Sequence, residues 1–258
     1  MQPFEIINLN KLIIKGYYHQ AQSLKNSNTS TIIFVHGFRG RMSQKFINIS
    51  CEYLSKCNIN VVKFDATNHI GESGGTLFNF TISDFIEDLS FVIKYCVSNL
   101  GSKKIILIGH SLGGLVALYN SKNPYIKSLI LLSPSLQHSP VGFLSHKGYI
   151  NHDINNAIHF KYKLENGFDI YYDLSWNTQL DYLKFSQSNT NIYLKNNLIN
   201  KSFIYFEKDN IIAKENIEKF YNITSAPKTF NIINNAPHNP KNKDQILDLI
   251  NVLKEVSL

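Results

Sequence analysis

The 258-residue chain contains no apolar run near the roughly 20 residues that a membrane-spanning helix needs. Its opening, MQPFEIINLN, has no basic stretch followed by an apolar one, as a secretory signal would. These absences argue against stable membrane insertion and lead us to expect a cytoplasmic protein. Cysteine is scarce: Cys51, Cys57 and Cys96 form an odd set without CxxC or metal-ligand spacing, and Cys51 and Cys96 fall on apolar positions of helical patterns. A disulfide framework is thereby excluded, and the three read as reduced thiols. Arginine occurs only at Arg39 and Arg41, so the formal charge of +7 is carried by lysines scattered singly along the chain. Without a basic run or stripe, that charge describes a solvated surface and gives no footprint for nucleic acid. Pro/Gly/Ser-rich linkers and internal repeats are also missing, and nothing in the sequence sets an oligomeric state.

What is present is a globular balance, 43% hydrophobic and 17% charged, in a chain long enough for one α/β domain carrying an insertion. Phe4 to Leu9 and Leu12 to His19 alternate apolar and polar residues and predict an opening antiparallel hairpin. Thr31 to Val35, Val61 to Asp65, Ile105 to Ile108 and Ile126 to Leu132 are short, nearly continuous apolar runs, as expected of strands buried on both faces. Between them lie helical patterns over Gln44 to Lys56, with Ser43 as cap, from a Ser83 cap through about Asn99, closed by Gly101, and over Leu115 to Asn120. Helical crossovers of this length imply parallel pairing. The rhythm resumes with strands at Ser202 to Phe206 and Lys228 to Ile233 and helices at Ala213 to Phe220 and Asp244 to Val256. Residues 135–200 interrupt it with a stretch rich in aromatics and histidines, including a hairpin around Gly167 and a helical segment from Leu180 to Phe185. The expected organisation is a core of residues 1–134 and 201–258 with a cap at 135–200.

The strand Ile105 to Ile108 runs into Gly109-His110-Ser111-Leu112-Gly113-Gly114, a G-x-S-x-G sequence between strand and helix. Serine at such an apex is pushed out of the fold on a strained backbone, and the flanking glycines leave room for neighbouring main chain. A serine hydroxyl is a weak nucleophile, so Ser111 needs a base, and the base a carboxylate partner. After this kind of elbow the order is serine, acid, histidine. His238, in the loop after the Lys228 to Ile233 strand, is the only histidine that follows an acid so placed. Asp209 follows the strand ending at Phe206, with Glu207 two residues away as the rival acid. His138, His146, His152 and His159 precede both and have the wrong order; their intervals also match no metal-binding pattern, so no metal is expected. Backbone donors for an oxyanion are expected at the N–H of Leu112 and, after His36-Gly37, the N–H of Phe38.

Taken together, His36-Gly37-Phe38, Asp65 with Gly71-Glu72-Ser73-Gly74-Gly75, the Gly109 to Gly114 elbow, Asp209 and His238 resemble the serine hydrolases of the α/β-hydrolase fold. That resemblance implies a mostly parallel central sheet with helices on both faces and an inserted cap, no cofactor, and a small-molecule ester as substrate. Within that fold, the Gly71 to Gly75 loop and the cap hairpin are similar to the bacterial cinnamoyl or feruloyl esterase group, close to the serine aminopeptidase-like and monoacylglycerol lipase-like hydrolases. Asn68-His69-Ile70 stands where that pattern has a glycine pair. The implied activity is cleavage of aryl or short-to-medium acyl esters through an acyl-enzyme on Ser111. An acylglycerol lipase, thioesterase or peptidase would use the same residues, and a binding protein could keep the fold without the chemistry.

Overall fold

The computed structural model describes residues 1–21, 30–57, 59–136, 149–152, 157–163, 169–185, 187–225 and 227–257. Its centre is an eight-stranded sheet of β1 (Gln2–Ile7), β2 (Ile13–His19), β3 (Thr31–Val35), β4 (Asn60–Phe64), β5 (Ile105–His110), β6 (Ile126–Leu132), β10 (Asn200–Phe206) and β11 (Lys228–Ile233), in the order β1-β2-β4-β3-β5-β6-β10-β11. Strands β4 to β11 of that order pair in parallel, while β1 and β2 pair antiparallel, β2 also running antiparallel to β4.

The parallel strands are buried on both faces because their neighbouring side chains feed two separate cores. Ile33, Val35 and Leu107 join one, with Phe85, Leu89 and Val92 of α2 (Ile82–Leu100), Leu115 and Leu118 of α3 (Leu112–Asn120), and Ile217 and Phe220 of α6 (Lys214–Ile223). Ile32, Phe34, Ile106 and Ile108 join the other, with Phe46 and Leu54 of α1 (Lys45–Lys56) and Ile246, Leu249 and Leu253 of α7 (Lys243–Ser257). The alternation follows from the two-residue repeat of a strand. It explains why these segments read as unbroken apolar runs.

Two cap assignments need correction. Ser43 does not cap α1; Gln44 stands at that position and makes no side-chain capping bond. At α2 the cap is Thr81, whose hydroxyl accepts from the Asp84 N–H at 3.0 Å. Ser83 instead turns both its N–H and its hydroxyl to the Asp181 carboxylate, at 2.9 and 2.5 Å. At the other end of α2 Gly101 takes φ +66°, a left-handed close favourable to glycine.

Between β6 and β10 the chain forms β7 (Tyr149–His152), β8 (Ala157–Lys163) and β9 (Asp169–Ser175), an antiparallel three-stranded sheet. It continues with α4 (Trp176–Tyr182), a 3₁₀ turn (Leu183–Phe185) and α5 (Gln187–Asn196). The β8-β9 pair is the anticipated hairpin, while β7 and α5 had no clear sequence signal. Gly167, His138 and His146 lie outside the described residues, and the side chains of His152 and His159 are likewise outside the description. Besides Asp181, Thr178 fastens α4 to the core, its hydroxyl donating to the Phe80 carbonyl at 2.6 Å. No helix among the described residues is long and apolar enough to cross a membrane.

Candidate active site

Non-glycine residues with positive φ gather just beyond the C-terminal ends of the parallel strands: Arg39 (+56°) after β3, Asn68 (+52°) after β4, Ser111 (+52°) after β5, Ser133 (+37°) after β6 and Asn235 (+54°) after β11. Each conformation costs energy, and such strain persists where the surrounding fold over-determines it. This edge of the sheet is where an α/β fold gathers function.

Ser111 sits at the turn from β5 into α3 with ψ −120°, outside the left-handed helical well. The turn is tight because no Cβ fits around it. On Gly109 a Cβ would lie 2.4 Å from the Gly113 carbonyl oxygen, and on Gly113 it would lie 2.3 Å from that of Val35. Main-chain bonds hold the serine from both sides: its N–H donates to Leu132 O at 3.0 Å, and its carbonyl accepts from Gly114 and Ser135, each at 2.9 Å.

Asp209 and His238 are joined directly. His238 Nδ1 lies 2.6 Å from Asp209 Oδ2, and both side chains are buried. The other Asp209 oxygen accepts from the Ile211 and Ile212 N–H groups at 2.8 and 2.9 Å. Burial pushes this carboxyl upward, but the bond and charge of His238 with the two backbone donors outweigh it and hold Asp209 below the usual carboxylate range. Glu207 is turned elsewhere, its Oε2 accepting from the Asn235 N–H at 2.7 Å. Among the described residues the Ser111 hydroxyl makes no hydrogen bond to His238. The two are linked through His110, whose Nε2 lies 2.8 Å from the His238 carbonyl oxygen and whose ring centre lies 4.7 Å from that of His238.

Leu112 opens α3, so its N–H has no partner within the helix. The N–H of Phe38 belongs to the same peptide as the Gly37 carbonyl, which accepts from His36 Nδ1 at 2.9 Å and from the Gly40 N–H at 2.8 Å. A planar trans peptide sets N–H and C=O on opposite sides, so fixing the oxygen aims the Phe38 N–H. The turn lies against the elbow: a Cβ on Gly37 would come within 2.9 Å of the Ser111 Cβ.

Three buried histidines shape this edge, and the motif reading gave them no role of their own. His36 Nε2 accepts from the Ala66 N–H at 3.1 Å, so Nδ1 carries the proton given to Gly37. His69 Nε2 accepts from the Arg39 N–H at 2.9 Å. Burial holds all three below the ordinary imidazole value, His110 down to about 3, and they are neutral spacers at working pH. Their sequence signal is a histidine at the end of an all-apolar strand. The departure at Asn68 is accommodated because asparagine tolerates positive φ. The loop folds tightly on Asp65, where a Cβ on Gly71 (φ +141°) would meet the carboxylate at 2.4 Å.

The family described as "Serine aminopeptidase, S33" matches residues 26–203. Protein phosphatase methylesterase 1 of Candida albicans is 35% identical over 121 residues, 46% of this chain and 31% of that protein. An acyl transferase of Photobacterium phosphoreum is 34% identical over 88 residues, 34% of this chain and 28% of that protein. The matched stretch therefore spans less than a third of the length of either relative. Among solved structures, Est1E from Butyrivibrio proteoclasticus with ferulic acid bound has a TM-score of 0.79 at 18% identity, over 98% of this chain and 97% of that one. Alpha/beta hydrolase domain-containing protein 10 from mouse has a TM-score of 0.73 at 15% identity, over 99% and 98%. At these identities the structural likeness establishes the fold, and with the family match over residues 26–203 the conclusion is that this chain belongs to the serine aminopeptidase family of α/β hydrolases.

Proposed function

We propose that the chain is a carboxylic-ester hydrolase working through an acyl-enzyme on Ser111. The observation that carries this reading is the buried 2.6 Å Asp209–His238 pair beside a serine held at positive φ. In the first half-reaction Ser111 Oγ attacks the ester carbonyl carbon while His238 Nε2 takes the hydroxyl proton. Asp209 holds the Nδ1–H tautomer and stabilises the imidazolium. The carbonyl oxygen becomes an oxyanion, received by the N–H groups of Leu112 and Phe38; one such donor is worth about 10²–10³ in rate. Collapse of the intermediate breaks the bond to the alcohol oxygen, which leaves with the proton from His238. Water repeats the sequence to release the acid and restore Ser111.

Residues 135–200 act in this reading as a cap that selects the acyl group and takes no part in bond breaking. Aryl or short-to-medium acyl esters are the favoured class. The likeness to a structure holding ferulic acid and the aromatic content of the cap support it, because rings add about 0.5–1.5 kcal/mol per aromatic pair beyond area burial. A panel of p-nitrophenyl and aryl esters of graded acyl length tests the proposal. Turnover should be highest for aryl and short acyl groups and absent in Ser111→Ala. Exclusive turnover of aminoacyl amides or long-chain acylglycerols would overturn the substrate class.

A further inference from the structure

His110 stands where three loops meet. It ends β5 next to Ser111, is buried at 3% exposure, and lies between the His238 loop and the His36-Gly37 turn. A carbonyl oxygen only accepts, so the 2.8 Å contact to His238 O requires the proton on His110 Nε2. Nδ1 is then the bare nitrogen. It is buried without a hydrogen-bond partner among the described residues and faces the turn, since a Cβ on Gly37 would lie 3.2 Å from it. Phe46 packs edge-on against the ring, with centres 5.2 Å apart, and Phe206 lies 6.1 Å away. An unsatisfied buried nitrogen costs stability, and packing alone would be served better by an apolar side chain. What the imidazole supplies beyond shape is one N–H aimed at the main chain of His238.

We propose that His110 is a positioning residue: its Nε2–H ties the backbone of His238 to the serine elbow and so sets the separation between the His238 imidazole and the Ser111 hydroxyl. The proposal rests on the acyl-enzyme reading above. The Asp209 bond holds the ring at Nδ1 only, so where its Nε2 lies also depends on the position of the His238 main chain. Other ties of this loop run to different elements: Lys208 N–H to Ala236 O at 2.8 Å, Asn235 N–H to Glu207 Oε2 at 2.7 Å, Gln245 Nε2 to Asn235 O at 2.8 Å, and Gln44 Nε2 to Asn239 Oδ1 at 3.1 Å. The His110 bond joins it to the strand that carries the nucleophile. A displacement of about 1 Å at a reacting pair costs on the order of 10²-fold in rate, which is the size of effect a lost tether should have.

The test compares His110→Gln, whose Nε2 occupies nearly the place of the imidazole Nε2, with His110→Leu and His110→Asn, which cannot present an N–H there. In the full chain with p-nitrophenyl acetate, His110→Gln should keep kcat within about tenfold, while the other two lose about 10²-fold with KM little changed. A second readout does not depend on turnover. In ¹⁵N-histidine-labelled protein the His238 Nδ1 proton should resonate far downfield and be assigned by its loss in Asp209→Asn. It should persist in His110→Gln and broaden or vanish in His110→Leu and His110→Asn, each with unchanged near-UV circular dichroism. Wild-type kcat and an intact resonance in His110→Leu would overturn the proposal, as would equal damage in His110→Gln, which would make the ring's shape the cause. Failure of both donor-lacking variants to fold would make the residue structural and overturn it too. Full turnover in Ser111→Ala would instead remove the acyl-enzyme reading, and the resonance would still decide whether the tether exists.

Discussion

The Asp209 carboxylate is saturated by donors: His238 on one oxygen, the Ile211 and Ile212 N–H groups on the other. Asp209→Asn would present an amide N–H to one of these donors and favour the wrong imidazole tautomer. It should lower kcat by about 10³–10⁴ with KM little affected. Glu207→Gln keeps an oxygen for the Asn235 N–H and should leave kcat within about twofold. Steady-state kinetics on one small ester measures both, and the reverse ranking would reassign the acid. The sequence offered Ser111, Asp209 and His238 as a set because the elbow dictates their order along the chain, and of that set the structure joins Asp209 to His238. Sequence reading preferred Asp209 to Glu207 from place in the loop alone, since two residues of spacing after a strand do not say which way each carboxylate turns. The roles of His36, His69 and His110 were not legible. A buried neutral histidine and an exposed one look alike in sequence, and here only the surrounding main-chain donors and acceptors distinguish them.

At the scale of elements, one buried carboxylate joins three of them. Asp88 on α2 is fully buried and accepts from Asn8 Nδ2 at 2.9 Å, Thr67 N–H at 2.7 Å and Thr67 Oγ1 at 2.8 Å, tying the β1-β2 turn and the segment after β4 to the helix. Burial lifts it to about 6 against these donated bonds. An acid whose pKa is raised on folding favours the protonated fold. Its contribution is full below the unfolded value of about 3.9 and is lost as pH rises through about 6. Relative to Asp88→Asn, the wild type should therefore lose up to ~3 kcal/mol of stability between pH 4 and 7. Urea unfolding of both proteins across that range measures it, and a wild-type stability that stays level or rises with pH relative to Asp88→Asn would contradict the assignment.

The attachment of α4 is of the same kind. Asp181→Ala removes both bonds to Ser83 at the start of α2 and should cost about 1–3 kcal/mol in urea unfolding; no loss would mean that the tie is idle. Sequence reading missed this contact because Asp181 and Ser83 are 98 residues apart, and it took Ser83 for a local cap. The strand β7 was missed because four residues carry too little alternation, and α5 because its face is mostly polar, with Leu194 as its fully buried apolar residue.

For the whole molecule, the doubly covered parallel sheet was readable because each strand had to serve two cores at once and so became an unbroken apolar run. The proposed division into core and cap predicts that chemistry and selectivity separate. Trp176→Ala, at the start of α4, should change kcat/KM unequally across acyl groups while p-nitrophenyl acetate is still hydrolysed. A uniform loss on every ester, acetate included, would make the cap part of the catalytic machinery. The central claim is that Ser111 becomes acylated with His238 as its base. It is tested most directly by treating the chain with a fluorophosphonate and reading the modified peptide by mass spectrometry. The account predicts one adduct per chain on Ser111, absent in Ser111→Ala and formed at least about 10²-fold more slowly in His238→Ala. An adduct on another residue, or unchanged labelling of His238→Ala, would contradict it.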